Sequence, residues 1–136
     1  MSNIEQTLSI IKPDAVERNL VNEIKKEFIN SGFKILKEKK IQLTKSEAEE
    51  FYKIHETKPF YNDLCAYLSS GPIVVMILEK EAAIMANREL MGATDPTKAE
   101  EGTLRKKFGI SIDKNSVHGS DSLENAKIEI NFFFKD

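Results

Sequence analysis

A chain of 136 residues is the length of one domain and can bury a proper core. Apolar residues make up 40% and charged residues 31%, while 20 basic and 22 acidic side chains leave a net charge of −2. That balance excludes a global electrostatic pull toward nucleic acid or a membrane surface, and the single cysteine, Cys65, excludes an internal disulfide and fits a reducing compartment.

The N-terminus is polar (Ser2, Asn3, Glu5, Gln6) and lacks the apolar run of a signal peptide. No apolar run approaches the ~20 residues that cross a bilayer, so no membrane role and a cytoplasmic location are expected. Residues 6–12 read as a strand, with Leu8 and Ile10 alternating against Thr7 and Ser9. Lys12-Pro13 ends it, because proline favours extended geometry just before itself and suits a first helical turn. Leu20, Ile24 and Phe28 recur every four residues and predict a helix that Gly32 terminates. A second strand is expected over 34–43, where Lys37-Glu38-Lys39-Lys40 suits a charged sheet edge. Thr44-Lys45-Ser46-Glu47 has capping-box spacing and opens a helix with Ala48, Phe51, Tyr52 and His55 on one face.

Lys58-Pro59-Phe60 breaks that helix. A short one follows with Leu64, Tyr67 and Leu68 inward and Cys65 as a small packing residue, until Ser70-Gly71-Pro72. Ile73 to Leu78 is apolar on both faces, the mark of a central, covered strand. A helix from about Lys80 to Met91 precedes Gly92-Ala93-Thr94-Asp95-Pro96, and a long loop is expected over about 94–116. The last helix is expected to bury Leu123, Ala126, Ile130, Phe133 and Phe134, with Glu129 at the border of that stripe. The order predicts a ferredoxin-like α+β sandwich (βαββαβ) as a single domain over 1–136. Its four-stranded antiparallel sheet would be covered by helices on one face.

Asn115-Ser116-Val117-His118-Gly119-Ser120-Asp121-Ser122 joins a short apolar approach to the last helix. Gly119 permits a sharp bend, and Asp121 with Glu124 has capping-box spacing, which together favour presenting His118. An unperturbed imidazole is mostly neutral at pH 7 and can act as a nucleophile. The local sequence equally allows a histidine that caps a turn. No P-loop, G-x-G-x-x-G, H-E-x-x-H, C-x-x-C or G-x-S-x-G pattern occurs. What remains is a histidine at a turn with Lys12, Arg88 and Arg105 near element ends or in loops. Phosphoryl transfer needs that combination, a nucleophile in line with phosphorus and cations around its oxygens. Each of those basic residues taken singly also reads as a surface charge.

Asn115-Ser116-Val117-His118-Gly119-Ser120-Asp121 resembles the N-x-x-H-G-S-D signature of the nucleoside diphosphate kinase family. The likeness runs through Ile11-Lys12-Pro13-Asp14, Lys58-Pro59-Phe60-Tyr61, Ser70-Gly71-Pro72, Asn87-Arg88, Gly92-Ala93-Thr94-Asp95-Pro96 and Gly102-Thr103-Leu104-Arg105. The resemblance implies transfer of the terminal phosphate of a nucleoside triphosphate, ATP above all, to a nucleoside diphosphate. The route it implies is a ping-pong cycle through phosphohistidine, with Mg²⁺ carried on the nucleotide phosphates and no protein metal site. It implies His118 as nucleophile, Glu129 and Ser120 orienting its ring, and Tyr52 close by. Arg88, Thr94 and Arg105 would hold phosphates. Lys12 and Asn115 would contact the sugar hydroxyls, and Lys12 also the transferring phosphate. Phe60, with Leu64 opposite Ile112, would sandwich the base, and stacking on a face that every base has explains broad base specificity. A homo-oligomer, tetramer or hexamer, is implied.

Two departures stand out. Lys106-Lys107 occupy places where many relatives have a small residue and an acid, which adds positive charge near the phosphates or an assembly surface. Asn19 and Asn22 fall where glycines are common. The competing reading is a ferredoxin-like binding module for RNA or a regulatory nucleotide. Thr7-Leu8-Ser9-Ile10-Ile11 lacks the aromatics on which such a sheet stacks bases, and the net charge adds no support for specific nucleic-acid binding. His55 reads as a packing or surface residue.

Overall fold

Strand β1 (Ile4–Ile11) lies inside a four-stranded sheet, antiparallel to β3 (Ile73–Glu81) on one side and to β4 (Val117–Gly119) on the other. β2 (Lys34–Ile41) pairs with the far side of β3, so the order is β2-β3-β1-β4. The computed structural model describes residues 4–53, 56–59, 61–111 and 114–134. The β1-to-β2 connection skips one position, into which β3 inserts, as the βαββαβ order requires.

Both faces of the sheet are covered, which corrects the expectation of helices on one face. Side chains alternate across a strand. Val74, Met76 and Leu78 of β3 join Ile24, Phe28, Ala83, Met91 and Leu104 in one cluster, whereas Ile73 and Val75 join Ala48, Tyr52, Cys65, Leu68 and Phe133 in another. Thr7 and Ser9, the polar partners in the β1 alternation, are accordingly fully buried. Burying a large apolar side chain contributes about 1.5–3 kcal/mol, so these two layers supply most of the driving force.

Local signals place the ends of the helices. α1 (Pro13–Glu17) starts on Pro13, and Asn19 takes the left-handed φ of 61°, a conformation asparagine tolerates where glycine would be common. α2 (Val21–Asn30) buries Ile24 and Phe28 and ends before Gly32, whose φ is 90°. α3 (Lys45–Phe51) has the full capping box: Glu47 N donates to Thr44 Oγ1 at 3.1 Å and Thr44 N to Glu47 Oε1 at 2.9 Å. α4 (Tyr61–Leu68) buries Cys65 and Leu68.

Elsewhere the boundaries move. β2 stops at Ile41, two residues early, and Lys37 to Lys40 are exposed on the sheet edge as expected. β3 runs on to Glu81, so α5 is Ala83–Met91 and does not begin at Lys80. The long loop contains a 3-10 turn (Pro96–Lys98) and α6 (Leu104–Phe108), whose N-cap is Thr103. α7 (Leu123–Phe133) is capped by Ser122, which accepts from Asn125 N at 3.1 Å, so the Asp121–Glu124 capping box does not form. Leu123 is 49% exposed because it is the first residue past that cap, while Ala126 and Phe133 are buried.

Candidate active site

The β1–β4 ladder sets His118 opposite Ile10, so the histidine is part of the sheet and half-buried, not carried on a projecting bend. Gly119 does not adopt a positive φ; among the glycines that do are Gly32, Gly92 and Gly102. A β-carbon at Gly119 would lie 2.8 Å from Met91 Cε and would overlap the Asn87 amide, so glycine is there for close approach. The left-handed residue of the segment is Ser116, with φ 73°.

His118 Nε2 lies 3.1 Å from Glu129 Oε1, and Ser120 Oγ donates to the same oxygen at 2.9 Å. Leu8 N donates to Ser120 Oγ at 3.3 Å, tying that pair to β1. A carboxylate only accepts, so it draws the proton to Nε2 and leaves the lone pair on Nδ1. The Phe51 ring stands edge-on to the imidazole at 5.5 Å. Tyr52 is buried, and desolvation, with the Glu129 carboxylate adding, pushes its phenol above the usual range. It therefore remains a protonated hydroxyl.

Lys12 follows β1 directly and its side chain is buried. Its Nζ donates to Asn115 Oδ1 at 2.9 Å, and Asn115 Nδ2 donates to the Thr94 carbonyl at 3.2 Å. Arg105, on α6, donates through its two Nη atoms to the Gly92 carbonyl at 3.0 Å and the Val117 carbonyl at 2.9 Å. Its Nε is buried with no partner among the described residues. Desolvation, with Arg88 adding, brings its guanidinium down to about 10. Two cations close together favour an anion between them, and the carboxylates of Glu5, Glu89 and Asp121 stand around the cavity that both line. Arg88 and Arg105 line a cavity of about 750 Å³ with Thr94, Gly92, Met91 and Asp121; Ile84, Met85 and Leu123 supply its apolar wall, and His118 and Lys12 lie outside that lining.

The structure thus brings His118, Glu129 and Ser120 into one hydrogen-bonded group and Lys12, Asn115 and Thr94 into another, with Arg88 and Arg105 adjoining. Leu64 packs against the core cluster of Tyr52 and Cys65. Phe60, Ile112 and His55 lie outside the described residues. Lys107 pairs with Glu27 at 2.9 Å. Three features were missed in the sequence: Phe51 against His118, Asn87 beneath Gly119, and the buried Asp14–Ser116 contact. Phe51 does lie on the predicted face of its helix; nothing in the sequence pairs Asn87 with Gly119, or Asp14 with Ser116 across 102 positions. Among the described residues no three His, Cys, Asp or Glu side chains form a metal cage. A donor set dominated by cations fits a magnesium ion that stays on nucleotide oxygens and water.

The family model for nucleoside diphosphate kinase matches residues 5–136. A nucleoside diphosphate kinase of Geotalea uraniireducens is 58% identical over 131 residues, covering 96% of each chain. One of Wolinella succinogenes is 57% identical over the same shares. The crystal structure of the Aquifex aeolicus nucleoside diphosphate kinase superposes with a TM-score of 0.95 at 41% identity, covering 97% of this chain and 96% of that one. The apo enzyme of Encephalitozoon cuniculi gives 0.93 at 33% identity, covering 97% and 90%.

Proposed function

The chain belongs to the nucleoside diphosphate kinase family, and we propose that it moves phosphate by a ping-pong cycle through a phosphohistidine at His118. It is an enzyme of nucleotide phosphate transfer, with nucleoside di- and triphosphates as substrates.

The observation that carries the histidine route is the 3.1 Å contact of Nε2 with Glu129, which reserves Nδ1 as the nucleophile. Nδ1 attacks the terminal phosphorus, the bond to the bridging oxygen breaks, and the diphosphate leaves with that electron pair. In the second half a terminal oxygen of another diphosphate attacks the phosphohistidine, and Nδ1 recovers its pair. Glu129 stabilises the positive charge that the ring gains when phosphorylated, and Ser120 fixes the carboxylate. Arg88, Arg105 and Thr94 hold the phosphates. Lys12 supplies charge to the transferring group and, with Asn115, contacts the sugar. Tyr52 contributes a hydroxyl beside Glu129. Phe60, with Leu64 and Ile112, sandwiches the base, which makes base preference broad. Magnesium, carried on the nucleotide, adds charge neutralisation at the phosphate oxygens.

No described helix is long and apolar enough to cross a membrane. We place the enzyme in the cytoplasm, as a single domain over 1–136 and a homo-oligomer, with ATP as donor and no specific nucleic-acid partner. Incubation with terminally labelled Mg-ATP is expected to leave one acid-labile, base-stable phosphate per chain. His118→Asn is expected to abolish it. Equal labelling of that variant would overturn the assignment of His118.

A further inference from the structure

A buried polar cluster that the transfer scheme leaves unused lies behind Lys12. The Asp14 carboxylate, 4% exposed, accepts from Ser116 Oγ at 2.8 Å, from Arg18 Nη2 at 3.0 Å and from the Tyr67 hydroxyl. Arg18 Nη2 also donates to Ser116 Oγ at 3.1 Å and to the Phe108 carbonyl. Ser116 is fully buried, has φ 73°, and is the centre of a three-residue turn in which Val117 N donates to the Asn115 carbonyl at 2.9 Å. A γ-turn with positive φ at its centre is rare and strained in an L residue, and persists only where its surroundings hold it.

Both flanks of this turn are site residues. Asn115, on one side, bonds Lys12 Nζ and the Thr94 carbonyl; Val117 and His118, on the other, enter β4. The turn's own carbonyl, that of Ser116, accepts from Lys12 N at 2.8 Å. We propose that Asp14 and Ser116 are positioning residues for phosphate transfer, in which the carboxylate grips the Ser116 hydroxyl and so holds the strained turn that sets Lys12, Asn115 and His118 relative to one another. A charged acceptor makes the stronger hydrogen bond, so the hydroxyl proton goes to Asp14, while Arg18 satisfies the Phe108 carbonyl. This inference rests on the functional reading above, since it concerns groups that reading assigns to nucleotide and phosphate.

The test uses Ser116→Gly, because glycine takes a positive φ without strain and the variant removes the grip while easing the backbone. The final amount of phosphohistidine from labelled Mg-ATP is expected to equal the parent's. Its rate of formation and kcat are expected to fall on the order of tenfold to a hundredfold, as misplacement of reacting groups does, with KM little changed. Asp14→Asn is expected to slow the same step, and to add little in the Ser116→Gly background, because the two residues act as one unit. A rate for Ser116→Gly within about twofold of the parent's, a loss confined to KM, or full multiplication of the two losses overturns the proposal. A parent chain that takes no label sinks the transfer reading itself, and this inference with it.

Discussion

Gly119 sits in the strand that carries His118, and its lack of a side chain answers to space, since Met91 and the fully buried Asn87 press on it from α5. Gly119→Ala is expected to destabilise the protein by about 1–3 kcal/mol, the usual cost of overpacking a tight contact. Urea unfolding with an unchanged slope measures it, and a midpoint equal to the parent's would show that Asn87 and Met91 give way freely. His118 was legible as a candidate from its neighbours alone. Which of its nitrogens holds the proton was not, because that depends on Glu129 reaching Nε2 from another element. Lys12 and Arg88 were equally legible as charges near element ends. Their convergence with Asn115 and Arg105 depends on the β1–β4 pairing and on α6 packing against the sheet.

At the scale of elements, caps and breakers are local chemistry and read well. The Thr44–Glu47 capping box is on the surface and formed as the spacing required. Thr44→Ala is expected to cost about 0.5–2 kcal/mol of stability while leaving kcat as in the parent, since Thr44 is exposed and its capping bonds are to Glu47. An unchanged urea midpoint would mean that tertiary packing alone holds α3. Where neighbouring signals compete, local reading fails. Asp121 and Ser122 are both helix-starting types, and Ser122 won by bonding Asn125 N. α6 falls in the stretch expected as loop, and five residues cannot hold a helix by propensity. It exists because Leu104 is fully buried and Arg105 reaches across to Gly92 and Val117.

At the scale of the molecule, β3 between β1 and β2 makes a sheet with two buried faces and leaves the charged strand β2 at an edge. The Lys25–Glu38 pair at 2.7 Å and the Lys39 ammonium 5.0 Å from the Phe134 ring engage two of that strand's charges on its own chain. A homo-oligomer is the assembly proposed above for this chain of 15.4 kDa. Light scattering coupled to size exclusion is expected to give four or six times that mass. A monomeric mass would overturn the proposed homo-oligomer.

The order of the four strands, the Thr44–Glu47 cap and the signature around His118 followed from the sequence by itself, because periodicity, capping and turn chemistry act over a few residues. Only the tertiary structure decided that both faces of the sheet are covered, that Ser116 and not Gly119 is the left-handed residue, and that Asp14 meets it across 102 positions. Those outcomes depend on which surfaces exclude water together and on which buried polar groups must find one another. Neither is set by any residue's neighbours in the chain.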